Sequence, residues 1–201
     1  MSKEKRMVGD YEVLHDIRIR GRNIIVGENP KADTGERYVL ATGESFDILI
    51  RYTDCLVSDD YTEIMKLFGE RVSAFADELT AEHAKLVEQG IPVEVVPESD
   101  YDSVSRSQNI EGKIVVIDPN ALSPEYQHQT HQIYLCDGGF GAYGSSRGSA
   151  CYCTNLFTGK TTRYERGDIA GVMSEEKLPE WAKSGLERIQ AEKKAKSAEA
   201  R

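Results

Sequence analysis

The sequence predicts an α+β fold: an N-terminal antiparallel sheet with one long helix packed on it, then a β-rich module with a glycine loop and a C-terminal helix. Three features carry this. Alternating apolar segments joined by short turns fill residues 11–58, the period changes to that of a helix over 58–90, and short strand-like segments return before a last helical run. The expected organisation is a single α+β domain over 1–190, with sub-parts at 10–90 and 91–190, followed by a frayed, charged tail at 191–201.

In chain order, YEVLHDIRI and NIIVGE flank RGRN, a turn around Gly21. RYVLA and SFDILIRYTDCLV flank TGE at 42–44, read as the next turn, so the four segments form a meander. In the helix, Ser58 or Asp59 is placed to cap the first turn, with Glu63 close behind at the positive end of the dipole. Tyr61, Met65, Phe68, Val72, Phe75, Leu79 and Leu86 recur at steps of three, four or seven and mark one helix face. Gly90, followed by Pro92, ends it.

Beyond the helix, PVEVV at 92–96 reads as a strand, PESDYDSVSRSQNIEG as an acidic loop and KIVVID as a buried strand. QIYLC runs into the glycine loop. SACYCTNLF and TTRYERGD form a hairpin about TGK, Asp168 caps a short turn, and Leu178, Trp181, Leu186 and Ile189 anchor the final helix.

The 201-residue chain has a net charge of −9, which argues against a general nucleic-acid binder because affinity for the phosphate backbone comes from Lys and Arg. Such a surface suits a basic protein partner, including one that normally holds nucleic acid. Apolar runs are as short as IVVI, the first residues lack the apolar core of a secretory signal, and Cys55, Cys136, Cys151 and Cys153 read as reduced thiols. A cytoplasmic protein that does not enter the membrane is expected.

Gly139, Gly141 and Gly144 have the G-x-G-x-x-G spacing of a phosphate loop, but SSRGSACYCTN after them has no helical period to place a helix dipole at a pyrophosphate. The kinase reading lacks its other signatures, and TGKTT lacks the first glycine of a P-loop. The loop is therefore expected to be a glycine-dependent connection between strands. It becomes a candidate binding surface of Gly138, Gly139, Phe140, Gly141 and Tyr143, with Arg147 the side chain suited to an anion.

Glu98, Asp100 and Asp102 are close enough in sequence to be candidate binding residues, without the spacing of a calcium loop. His128, His131 and the three later cysteines match no common zinc module, so no metal or other cofactor is called for. An enzymatic alternative is metal-independent ribonuclease or nucleotide chemistry. His128 and His131 would exchange protons with the substrate, and Arg147, Lys160 or Arg163 would stabilise the phosphorane.

The run over 112–182 joins Asp118-Pro119, L-x-P-E-Y at 122–126, L-x-x-G-G-F-G at 135–141, Arg147-Gly148, R-x-x-R-x-D-I-x-G at 163–171 and L-P-E-W-A at 178–182. This combination resembles an uncharacterised accessory-protein family carried on conjugative elements, plasmids and phages of Firmicutes and gut bacteria. The family has no established catalytic residues to carry over. What the resemblance implies is context: a protein that binds a host or element-encoded partner, most concretely an anti-CRISPR inhibitor of a CRISPR effector nuclease or its guide-RNA complex.

Overall fold

The computed structural model describes residues 5–46, 49–144 and 147–199. The α+β expectation holds, and the chain divides into two compact units, Met1–Ala84 and Lys85–Arg201, where the sequence reading sets an internal boundary at 90/91 of one domain.

In the first unit, β1 (Met7–Val8), β2 (Tyr11–Ile19), β3 (Arg22–Glu28), β4 (Tyr38–Phe46) and β5 (Leu49–Ser58) pair in chain order, each antiparallel to the next. Ile19 pairs with Arg22 across a two-residue turn in which Arg20 and Gly21 have φ of 53° and 70°, the geometry that matches strand twist. The turn expected at 42–44 is a correction. Thr42–Glu44 pair with Thr53–Arg51 inside the ladder, which runs on until Phe46 pairs with Leu49. Gly43 serves a different purpose. A Cβ there would lie 2.8 Å from the Tyr52 ring and 2.9 Å from Ile50, so the glycine lets side chains of β5 lie across β4.

Alternation along the strands sends Ile24, Val26 and Leu40 to one face, where they are buried against Ile64 and Phe68 of α1 (Tyr61–Glu88). Each such side chain contributes about 1.5–3 kcal/mol by leaving water. The helix cap falls one residue later than expected. Asp60 Oδ1 accepts from the backbone N–H groups of Thr62 (2.8 Å) and Glu63 (3.3 Å). Asp59 instead accepts from Gly35 and Arg37 N–H, and Ser58 Oγ donates to the Glu63 carboxylate. Tyr61 is 39% exposed, so Ile64 anchors the first turn in its place. At the other end the sequence reading holds in detail: Gly90 (φ 72°) donates to Val87 O and Ile91 N–H reaches back to Leu86 O, a Schellman closure.

The second unit is a sheet in the order β10-β9-β8-β7-β11-β6, every pair antiparallel. Its strands are β6 (Asp102–Ser103), β7 (Ile114–Ile117), β8 (Ile133–Gly138), β9 (Ala150–Asn155), β10 (Thr161–Glu165) and β11 (Ile169–Met173), with helices α2 (Gln129–Gln132) and α3 (Glu180–Glu199). α3 lays Leu178 (just before it), Ala182, Leu186 and Ile189 on Ile114, Val116, Ile133, Leu135 and Leu156. The opposite face buries Val115, Ile117, Tyr134 and three cysteines beneath Ile110 and Ala142, which come from loops. Both faces of IVVI are thus covered, which explains its unbroken apolarity.

Residues 92–96 are not a strand. Their backbone groups find other partners: Val96 N–H donates to the side chain of Gln132 (2.8 Å) and Glu94 O accepts from Gln129 N–H (2.9 Å), so no ladder is needed to satisfy them. Gln132 is buried and its amide also donates to Ile117 O (2.9 Å), tying this segment to the central strand. At the far end α3 continues to Glu199, through most of the segment assigned to a frayed tail. Its Ala, Glu and Lys residues are strong helix formers, and 191–196 are solvent-exposed. Among the described residues no helix is long and apolar enough to cross a membrane.

Candidate functional site

The glycine loop leaves β8 and returns as β9, with a short 3-10 turn at Phe140–Ala142 and, among the described residues, no helix at its end. It folds against the segment 105–110. Ile110 N–H donates to Ala142 O (2.9 Å), and Gly144 lies so close to Ser107 that a Cβ would overlap its carbonyl oxygen.

Arg166 locks this arrangement. It opens a 3-10 turn after β10 that is fixed by a capping box, with Glu165 N–H donating to Asp168 Oδ2 (2.8 Å). Asp168 thus closes the box at N3, and Glu165 is the cap. The Arg166 side chain is 8% exposed. Its Nη1 donates to Gly141 O (3.3 Å), and its Nη2 donates to Ser105 O (2.7 Å) and Gln108 O (2.9 Å). One guanidinium thereby joins the glycine loop, the 105–108 turn and the end of β10, using three of its five N–H donors on neutral acceptors.

Above it opens a cleft of about 150 Å³ lined by Arg106, Arg147 and Arg166, by Tyr143 and Ser149, and by the backbone of Gly141, Gly148 and Gly167. Among the described residues none of the three arginines is ion-paired with a carboxylate. The acid nearest in the chain, Glu165, is already engaged: it accepts from Ser149 Oγ and pairs with Arg163 Nη2 at 2.5 Å. The Ser149 hydrogen bond, then the Arg163 charge, holds its carboxyl below the ordinary range. Tyr143 Oη donates to Glu111 Oε1 (2.9 Å), which pushes its phenol up and keeps it neutral. Three like charges around one cleft repel one another, and an anion seated among them reverses the sign of that interaction.

The other sequence candidates lie elsewhere. His128 and His131 do meet: their ring centroids are 4.7 Å apart, the Thr130 hydroxyl sits 3.0 and 3.2 Å from their Nδ1 atoms, and Tyr126 stacks on His131 at 4.5 Å. His128 is 4% exposed. They lie just before β8, whereas Arg147 lies beyond its far end, about 20 Å of strand away. Lys160 is exposed in the β9–β10 turn, and Arg163 is engaged with Glu165. Glu98, Asp100 and Asp102 lie on a 3-10 turn and an edge strand, where Asp100 meets Ser99 Oγ at 3.1 Å. Among the described residues no group of three or more His, Cys, Asp or Glu is placed to hold a metal ion.

Cys136 and Cys153 oppose each other across β8 and β9 and are buried with Cys151, while Cys55 is exposed. Burial pushes the Cys151 thiol up to about 11, and the hydrogen bond between Cys153 and Cys136, together with burial, raises the Cys153 thiol further. Only Cys55 is expected to react promptly with a maleimide or a disulfide reagent at pH 8, the remaining three being released by denaturant. Because the unfolded Cys151 thiol loses its proton near pH 8.5 and the folded one near 11, stability should fall as pH rises through that window. Prompt reaction of all four thiols in the folded protein would contradict this burial.

Arg106, Arg166 and Ser149 are the site residues that sequence reasoning missed. The available signal was Arg166 beside Gly167 at the end of a strand, inside R-x-x-R-x-D-I-x-G. Fold and cleft together define a two-unit α+β protein whose C-terminal unit carries an arginine-lined cleft. Compared with known proteins, the chain matches no protein-family model, no curated protein and no solved structure.

Proposed function

We propose that the protein acts by binding, and that its C-terminal unit captures an anionic group, phosphate or carboxylate, in the arginine cleft. The observation that carries this is the convergence of Arg106, Arg147 and Arg166 without a carboxylate partner among the described residues, in a chain of net charge −9. The guanidinium forks of Arg106 and Arg147 match both anions with paired, charge-assisted hydrogen bonds, while Arg166, whose Nη atoms are given to carbonyls, adds its charge. The cleft's other side chains, Tyr143 and Ser149, already have acceptors, which suits retention of a ligand more than nucleophilic attack.

Binding also fits the resemblance to mobile-element accessory proteins. An anti-CRISPR form of this reading has separate support: within the first unit α1 exposes Glu63, Glu70 and Asp77 against Lys66, an acidic face suited to a basic nuclease surface. The enzymatic alternative at His128 and His131 has less support, because Arg147 lies apart from the imidazoles and Arg163 is paired with Glu165, which leaves Lys160, exposed in the β9–β10 turn, as its candidate cation.

Calorimetric titration at low salt with inorganic phosphate and with citrate tests the cleft. Replacing Arg106 and Arg147 by alanine should weaken phosphate about tenfold each, and added salt should weaken it further. The charge reversals Glu70→Lys and Asp77→Lys should spare phosphate and remove any effector-nuclease inhibition. Unchanged phosphate affinity in the double arginine variant would sink the cleft proposal, and undiminished inhibition after charge reversal would sink the anti-CRISPR form.

A further inference from the structure

Exposed aromatic rings gather on the rim of the arginine cleft. Phe140 and Tyr143 are 74% and 45% exposed. Phe140 lies over Gly148, where a Cβ would come within 2.5 Å of Phe140 Cβ, and Gly148 lines the cleft. Tyr143 lines it directly. Most of the Phe140 ring faces water although its backbone is held in a 3-10 turn, so its exposure is built into the loop.

From this juxtaposition we infer that the ligand is a mononucleotide, its phosphate held by the arginines and its base stacked on the Phe140 rim. The inference rests on the anion reading and adds the aromatic half of the ligand. Stacking on an aromatic side chain is favourable for every base and needs no hydrogen-bond pattern, which suits a rim that offers rings and few free polar groups. Tyr143 and the arginines line the same cleft, and a guanidinium adds attraction for a stacked π system.

Charge decides between a single nucleotide and a polymer. A long strand would spread many phosphates over a chain of net charge −9, where attraction to three arginines is offset by repulsion elsewhere. One phosphate at the cleft meets three arginines within a Debye length against two nearby carboxylates, Glu111 and Glu165, which are hydrogen-bonded to Tyr143 and Ser149 of the lining. A cleft of about 150 Å³ accommodates one phosphate group, leaving the base on the rim.

The test compares AMP, UMP, ribose 5-phosphate, inorganic phosphate, phosphotyrosine and a single-stranded oligonucleotide by calorimetry on the full chain. AMP should bind about tenfold more tightly than ribose 5-phosphate, a gap that reports the base, and should exceed phosphotyrosine and each phosphate of the oligonucleotide. In Phe140→Ala the AMP to ribose 5-phosphate ratio should collapse toward one. Equal binding of AMP and ribose 5-phosphate, with inorganic phosphate still bound, would overturn the nucleotide inference and leave the anion reading standing. Phosphotyrosine or the oligonucleotide binding best would overturn it in favour of a phosphopeptide or a polymer, and failure of inorganic phosphate as well would remove the anion reading itself.

Discussion

Arg166→Leu is expected to destabilise the C-terminal unit by about 3–5 kcal/mol and to abolish anion binding. The leucine fills part of the same space, so loss of volume is not the main effect. What is lost is the shared donor of Gly141 O, Ser105 O and Gln108 O. Leaving a buried acceptor without a partner costs about 1–3 kcal/mol, and three lose theirs at once, offset in part by no longer burying a charge. Arg166→Lys should recover only part of the loss, because an ammonium is a point charge and cannot span three acceptors set in different directions. Trp181 is the only tryptophan and lies in α3, so its fluorescence reports unfolding of this unit specifically. A urea midpoint for Arg166→Leu close to that of the parent protein would show that the three carbonyls find other donors.

Arg166 also shows where reading a sequence stops. Its partners lie 25, 58 and 61 residues away, and no local pattern connects them. Features with a short-range cause were legible. IVVI reads as a strand because both its faces are covered, Gly90 as a helix end because only a left-handed residue closes it, and TGK as a hairpin turn because Asn155 binds the backbone N–H groups of Phe157 and Thr158. Features whose backbone is satisfied at long range were misread. PVEVV has the composition of a strand, but a distant glutamine side chain takes the place of a neighbouring strand. Gly43 resembles a turn residue, yet the reason for it is the pair of side chains on β5. The histidine pair was visible as a motif, while Thr130, which holds both rings, carried no signal.

The same distinction gives the second large effect, at the glycine that opened the phosphate-loop reading. Gly139→Ala should cost about 3 kcal/mol or more and weaken AMP at least tenfold. Two terms add. Gly139 has φ 105° and ψ 160°, a region essentially reserved for glycine, where another residue carries about 1–3 kcal/mol of strain. Its Cβ would also overlap the carbonyl oxygen of Ala150, the first residue of β9, so the backbone must shift. That shift displaces Phe140 next in the chain and loosens Gly138 from Tyr152 across the ladder. Gly112 isolates the first term: its φ is 73° and a Cβ there meets nothing within 4 Å, so Gly112→Ala should cost about 1–2 kcal/mol and spare ligand binding. If urea melts followed at Trp181 gave the two variants equal losses, the close approach of β9 would contribute nothing, and the loop would need glycine only for its dihedral angles.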